Sequence, residues 1–236
     1  MGNADIVGDL HGRLIAFDLD GTLVDSRRDL ADSANELIVE LHGTPLAEDA
    51  VGAMVGEGAR VLVGRALRAA GLDGDAEGAA LSRSLARFLE IYDRRLLQHT
   101  KPYPGVVEAL TAAHREARLA VLTNKPTQAT EAVLRGLDLR AFFDDVVGGD
   151  GEWPRKPDPA GLLRLMERAG ASLTRTLLVG DSAIDHETAA RAGVRCCLAT
   201  YGFGYLSFPA DRLNGQEWSV RTPAELSAVF EAFTAV

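Results

Sequence analysis

The stretch LIAFDLDGTLV, residues 14–24, sets an apolar run, two acids and a glycine side by side. Leu14–Phe17 is apolar at every position and too short for a helix, so it reads as a strand buried on both faces. Asp18 and Asp20 stand two residues apart at its end, which turns both side chains to one side. Bare carboxylates so close repel each other unless a cation lies between them or one is protonated. Gly21 then lets the chain turn sharply, with backbone N–H groups free to approach an anion.

The same kind of run recurs along the chain. LAVL (119–122), VVG (146–148), LLVG (177–180) and VRCCLA (194–199) read as further buried strands. Residues 105–116, 126–137, 159–170 and 183–193 read as the helices between them. This alternation predicts an α/β protein built on a doubly wound parallel sheet. The interval 26–99 differs, because it carries only helical periodicity. Its stripes are Leu30, Ala34, Leu37, Ile38 and Leu41; Ala59, Leu62, Val63, Ala66, Leu67 and Ala70; and Leu81, Leu85, Phe88, Leu89, Tyr92 and Leu96. A small α-helical domain over 26–99 is therefore expected, inserted into an α/β domain made of 1–25 and 100–236. HTKPYP (99–104) marks the return. Residues 201–218 read as loop, and Thr222-Pro223-Ala224-Glu225 as the start of a final helix.

The unusual polar residues fall just after the expected strands. Asp18 and Asp20 follow the first, Thr123 and Asn124 the second, Lys156 the third, and Asp181 and Asp185 the fourth. In a parallel sheet these ends share one edge, where open α/β folds bind ligands. Asp18, Asp20, Asp181 and Asp185 together make a site for a hard cation, and few oxygen ligands suit Mg²⁺. Asp185 also fits a capping box with Ser182, which is compatible with a place beside the metal. Thr123 and Asn124 are either helix caps or holders of phosphate oxygens. Lys156 is either a solvated charge or the cation that balances the acids and a phosphate.

Composition narrows the class. The 236 residues carry 34 acidic and 25 basic side chains, a net charge of −9, with no basic block to suit nucleic acid or an anionic membrane. No apolar run approaches a membrane span. The N-terminal MGNADIVGDLHGR lacks the pattern of a signal peptide, and Cys196 and Cys197 read as a buried strand pair, so a cytoplasmic protein is expected. The sequence is compatible with a monomer or a homodimer.

Gly8–Gly12, GDLHG, resembles the opening block of calcineurin-type metallophosphoesterases. The further metal-bearing blocks of that family do not follow, and the segment precedes the first strand, so it reads as a polar lead-in. The second resemblance is far broader. Asp18-Leu-Asp20-Gly21-Thr22-Leu23-Val24, Thr123-Asn124, Lys156-Pro157 and Gly180-Asp181-Ser182-Ala183-Ile184-Asp185 resemble the four ordered motifs of the haloacid dehalogenase-like hydrolases. LVDSRRDL (23–30), MVGEGARVLVGRAL (54–67), KPYPGVVEAL (101–110), TNKP (123–126) and RKPDPAGLL (155–163) look like its phosphoglycolate phosphatase branch.

The resemblance implies a Rossmann-like core with 26–99 as its cap domain. It implies that Asp18 is the nucleophile and Asp20 the acid and base. Mg²⁺ would be held by Asp18, the Asp20 backbone carbonyl and Asp181, with support from Asp185. Thr123, Asn124 and Lys156 would hold the phosphoryl oxygens, and Gly56 and Gly58 match the cap's specificity loop, their alternative being an ordinary turn. The implied substrate is a small phosphorylated metabolite, 2-phosphoglycolate first. A β-phosphoglucomutase-like phosphomutase, or a phosphatase for another sugar or nucleotide phosphate, is the alternative. A dehalogenase is disfavoured because that branch lacks an equivalent of Asp20. A phosphonatase is disfavoured because residues 26–99 contain no lysine.

Overall fold

In the computed structural model, which describes residues 12–213 and 215–234, the chain opens with β1 (Leu14–Phe17) and β2 (Val24–Asp25). Four helices follow: α1 (Arg27–Glu40), α2 (Glu48–Gly52), α3 (Ala59–Ala69) and α4 (Gly78–Arg95). Then come β3 (Lys101–Pro102), α5 (Val106–Ala113), β4 (Arg118–Leu122), α6 (Thr127–Gly136) and β5 (Asp145–Val147). The chain continues through α7 (Ala160–Ala169), β6 (Thr176–Gly180), α8 (Ala183–Ala192), β7 (Arg195–Ala199), β8 (Trp218–Val220) and α9 (Leu226–Thr234). Residues 8–11 of the lead-in GDLHG lie outside the described residues. Among the described residues, no helix is long and apolar enough to cross a membrane.

Six strands form one parallel sheet in the order β5-β4-β1-β6-β7-β8, with β1 between β4 and β6. Burial alternates along β1. Leu14 and Ala16 join one apolar cluster with Leu162, Leu165 and Leu178, while Ile15 and Phe17 join the other with Leu110, Val121 and Phe230. Both faces are thus covered, which is why these strands are apolar at consecutive positions. Cys196 and Cys197 are free thiols that divide between the two clusters, as the alternation requires. Burial pushes the Cys197 thiol up to about 12, so it is a packing group and not a reactive one.

Two features of the strand pairing carry no periodic signal in the sequence. β2 and β3 form an antiparallel ribbon, Val24 opposite Pro102 and Asp25 opposite Lys101, where the chain leaves for the four helices and returns from them. β8 adds a sixth strand beside β7, within and beyond the stretch read as loop. The final helix also starts later than expected. Pro223–Glu225 is a 3₁₀ turn, the Thr222 side chain makes no cap bond, and α9 begins at Leu226.

The helical stripes expected between 26 and 99 are inward-facing. α1 packs against α2 and α4, and α3 against α4, around Leu37, Ile38, Leu67, Phe88 and Ile91. One buried acid ties this package to the ribbon. The Asp29 carboxylate accepts the backbone N–H of His99 (3.0 Å) and of Thr100 (2.8 Å) and the Thr100 hydroxyl (2.7 Å). Asp29→Ala strands these donors in a buried site, and chemical denaturation is expected to show a loss of about 3 kcal/mol. A loss under about 1 kcal/mol would mean that water replaces the carboxylate there.

Candidate active site

β1, β4 and β6 end side by side, and the polar residues that follow them converge. Asp18 leaves β1 still in register, its N–H bonded to the carbonyl of Val179 on β6 (2.9 Å). Asp181 follows β6 directly, and Asp185 lies in the first turn of α8. Asp18, Asp181 and Asp185 are all buried, and each offers an oxygen within 4.8 Å of the others. Lys156, in the loop after β5, sends its ammonium between two of them. Its Nζ is 2.6 Å from Asp185 Oδ1 and 3.0 Å from Asp18 Oδ1.

Charge in this cluster does not balance. Three carboxylates face one ammonium, which leaves two negative charges if all are ionised. Burial raises Asp18 to about 6 in spite of Lys156, with Asp185 adding to the rise. Burial, Asp185 and Asp18 hold Asp181 well above the usual carboxylate range. Burial works against the Lys156 charge, but Asp18 and Asp185 outweigh it and keep the ammonium protonated above its ordinary range. Asp18 Oδ1 is buried, and its 3.0 Å contact with Lys156 Nζ is an ion pair without hydrogen-bond geometry. Buried oxygen donors with surplus negative charge and an unsatisfied lone pair fit a divalent hard cation.

Local sequence explains how the acids are held. Gly21, at φ +87°, carries the turn after β1, and a Cβ there would come within 1.9 Å of Asp181 Oδ2. Only glycine allows that approach. From the opposite side the N–H of Gly204 donates to the same Asp181 oxygen (2.7 Å). The segment read as featureless loop therefore supplies a fixed partner to a cluster acid. Asp185 fills both of its expected places. Its Oδ2 accepts the Ser182 N–H (3.1 Å) and hydroxyl (2.6 Å) in a capping box, and its Oδ1 accepts from Lys156.

Asp20 stands apart from the three. Its Oδ1 accepts the Ser26 hydroxyl (2.6 Å), and Lys125 Nζ lies 3.0 and 3.1 Å from its two oxygens. Lys125, which the sequence motifs do not single out, is buried and also donates to the Tyr92 hydroxyl on α4 (2.5 Å). Burial opposes its charge, but Asp20 and Tyr92 outweigh that and hold the ammonium above its usual range. A signal was present: Lys125 lies two residues beyond Thr123, at the end of a strand beside the acid-bearing one.

Thr123 and Asn124 do not cap α6. Pro126 occupies the cap position, and Asp150 Oδ1 accepts the N–H (2.7 Å) and hydroxyl (2.6 Å) of Thr127 in their stead. Among the described residues, Thr123 Oγ1 accepts only the Lys125 N–H (3.3 Å). The Asn124 amide donates to the carbonyls of Gly56 and Lys156, both at 2.9 Å, so its two protons are already engaged. It thereby clamps the loop between α2 and α3 onto the sheet edge. Gly58 in that loop sits at φ +92°, where a Cβ would press to 3.2 Å of the Asn124 carbonyl. Between this loop, α3, α4 and the strand ends runs a cleft of about 50 Å³. Asp18, Asp20, Thr123 and Lys125 line one side, and Leu62 and Phe88 the other.

Comparison with known proteins agrees with this arrangement. The sequence model of the haloacid dehalogenase-like hydrolases matches residues 15–199, which run from β1 to the end of β7. A phosphoglycolate phosphatase of Rhodospirillum rubrum is 45% identical over 194 residues, covering 81% of this chain and 80% of that protein. One of Caulobacter vibrioides is 39% identical over 207 residues, covering 87% and 86%. The crystal structure of a predicted phosphoglycolate phosphatase from Haemophilus somnus superposes with a TM-score of 0.84 at 32% identity, covering 92% of this chain and 97% of that one. Six parallel strands, acids at the ends of β1 and β6, and these relatives together place the chain in the haloacid dehalogenase-like hydrolase family, in its phosphoglycolate phosphatase-like branch.

Proposed function

We propose that this phosphatase hydrolyses 2-phosphoglycolate to glycolate and inorganic phosphate, with Mg²⁺ as cofactor and Asp18 as nucleophile. The observation that carries the reading is the surplus negative charge of Asp18, Asp181 and Asp185, buried against Lys156 alone. A divalent ion would neutralise it. The residues to hold that ion are Asp18, the backbone carbonyl of Asp20 and Asp181, with Asp185 in support. Once bound, it would offset the charge of the phosphoryl group and orient it for attack.

The chain's own groups do the rest. An Asp18 oxygen attacks phosphorus in line, and the bond from phosphorus to the ester oxygen breaks. Asp20 gives its proton to that oxygen as glycolate leaves. Asp20 then takes a proton from water, which attacks the phosphorus of the aspartyl-phosphate and frees Asp18. Lys156 and Thr123 hold phosphoryl oxygens through this charge build-up. Asn124, its amide protons engaged, contributes by fixing the Gly56–Gly58 loop and the backbone of Lys156. Residues 26–99 serve as the cap, with the ribbon β2–β3 as its hinge and the Gly56–Gly58 loop at the substrate. The small cleft between cap and sheet edge favours a leaving group of a few atoms over a sugar or nucleotide.

A phosphate-release assay over a panel of small phosphomonoesters tests this reading, with 2-phosphoglycolate expected to give the highest kcat/KM. Isomerised sugar phosphate formed without free phosphate would instead mark a phosphomutase. Mg²⁺ can also be followed without turnover. At 100 times its Kd it is expected to stabilise the fold by about 2.7 kcal/mol, which raises Tm by roughly 5–10 °C for a chain this size. Asp181→Asn should remove most of that rise. An unchanged rise would exclude Asp181 as a ligand.

A further inference from the structure

We propose that Lys125, backed by the hydroxyl of Tyr92, is the subsite that receives the carboxylate of the substrate. The inference rests on the substrate reading above and names the group that reads its second charge. Among the described residues that line the cleft, Lys125 is the only cation. The facing wall is apolar, with Leu30, Val55, Ala59, Leu62 and Phe88. No other lining side chain offers a carboxylate a positive charge, and unpaired burial of a carboxylate is costly.

The spacing suits a substrate in which the carboxylate lies close to the ester oxygen. Asp20 has to reach that oxygen to protonate it. Lys125 Nζ lies one hydrogen bond further on, 3.0 and 3.1 Å from the two Asp20 oxygens. When Asp20 carries the proton it donates, that ammonium is left to pair with a substrate anion. In 2-phosphoglycolate the carboxylate carbon is two bonds from the ester oxygen, so one small molecule can touch both groups at once. Tyr92 contributes a second donor. Its oxygen accepts from Lys125, which leaves its own proton for a ligand, and among the described residues no acceptor takes it. The Lys125 ammonium also lies 4.6 Å from the Tyr92 ring centre, which keeps it on the cleft side of α4. Tyr92 comes from the helical package and Lys125 from the sheet edge, so the subsite is complete only when the two are closed together.

The test compares the full-length chain with Lys125→Met on 2-phosphoglycolate and on ethyl phosphate, which has the same length and no carboxylate. The readout is the ratio of the two kcat/KM values. The wild-type preference for 2-phosphoglycolate is expected to fall roughly 100-fold, chiefly through KM, because a site built around a charged partner discriminates strongly. An unchanged ratio, whether both activities fall together or neither does, would assign Lys125 to holding Asp20 and overturn the subsite. If Lys125→Met does not fold, Tyr92→Phe carries the test, with a fall of roughly fivefold in the same ratio expected and no change in it contradicting the proposal. If the wild type turns over other phosphomonoesters but not 2-phosphoglycolate, the substrate reading fails by itself. The subsite then stands only if carboxylate-bearing esters are preferred to neutral ones, and falls if neutral ones are preferred.

Discussion

Asp18→Asn is expected to lower kcat/KM by on the order of 10⁴-fold or more, because an amide oxygen does not attack phosphorus at a useful rate. The substitution keeps shape and removes one of three crowded carboxylates. Burial and Asp185 both push Asp18 upward, and Lys156 keeps Asp185 as its partner. The variant's Tm in EDTA should therefore stay within a few degrees of the wild type, which separates loss of chemistry from loss of fold. Activity within tenfold of wild type would assign the nucleophile to another group.

Asp20→Asn should cost roughly 10²–10⁴-fold on 2-phosphoglycolate, the range expected for removal of a general acid and base. The loss depends on the leaving group in a way that reveals both roles. Acetyl phosphate needs no proton to expel acetate, so the variant should still transfer its phosphoryl group to Asp18. Without a base to activate water, the enzyme then stalls. A burst of acetate equal to the enzyme concentration, followed by slow turnover, is the expected trace. Steady turnover without a burst would mean that Asp20 assists only the first step.

Most of the candidate site was legible because it lies at the ends of apolar runs. Leu14–Phe17 and Thr176–Gly180 are buried on both faces, so their ends stand out in the sequence, and Asp18 and Asp181 follow at once. What escaped notice had no such marker. β2 and β3 are two residues each, below the length at which any period exists. In β8 Ser219 is exposed and Trp218 only half-buried, so the edge strand shows no apolar run. Lys125 does follow the end of β4, but beside a proline it reads equally well as an ordinary loop lysine. Its partner Tyr92 lies 33 residues earlier and counts equally well as part of an apolar stripe. Asp29 bonds two backbone N–H groups some 70 residues away, and backbone donors leave no signature in a sequence. Gly204 is the same case reversed, a backbone N–H serving a distant carboxylate.

The contacts without a sequence signature share a physical origin. Strand ends and helix stripes are set by local periodicity, whereas Asn124, Lys125 and Gly204 act through contacts that exist only after the chain has folded. Asn124 illustrates the cost. Its position at a strand end implies a ligand contact, yet both amide protons go to carbonyls of Gly56 and Lys156.

One assay tests the proposed activity most directly: phosphate release from 2-phosphoglycolate by the purified chain, with saturating Mg²⁺ and with the metal removed by EDTA. The expected result is rapid release of inorganic phosphate and glycolate in equal amounts with Mg²⁺, and none above background in EDTA. Release that persists unchanged in EDTA, or its absence with Mg²⁺ while other phosphomonoesters are turned over, would contradict it.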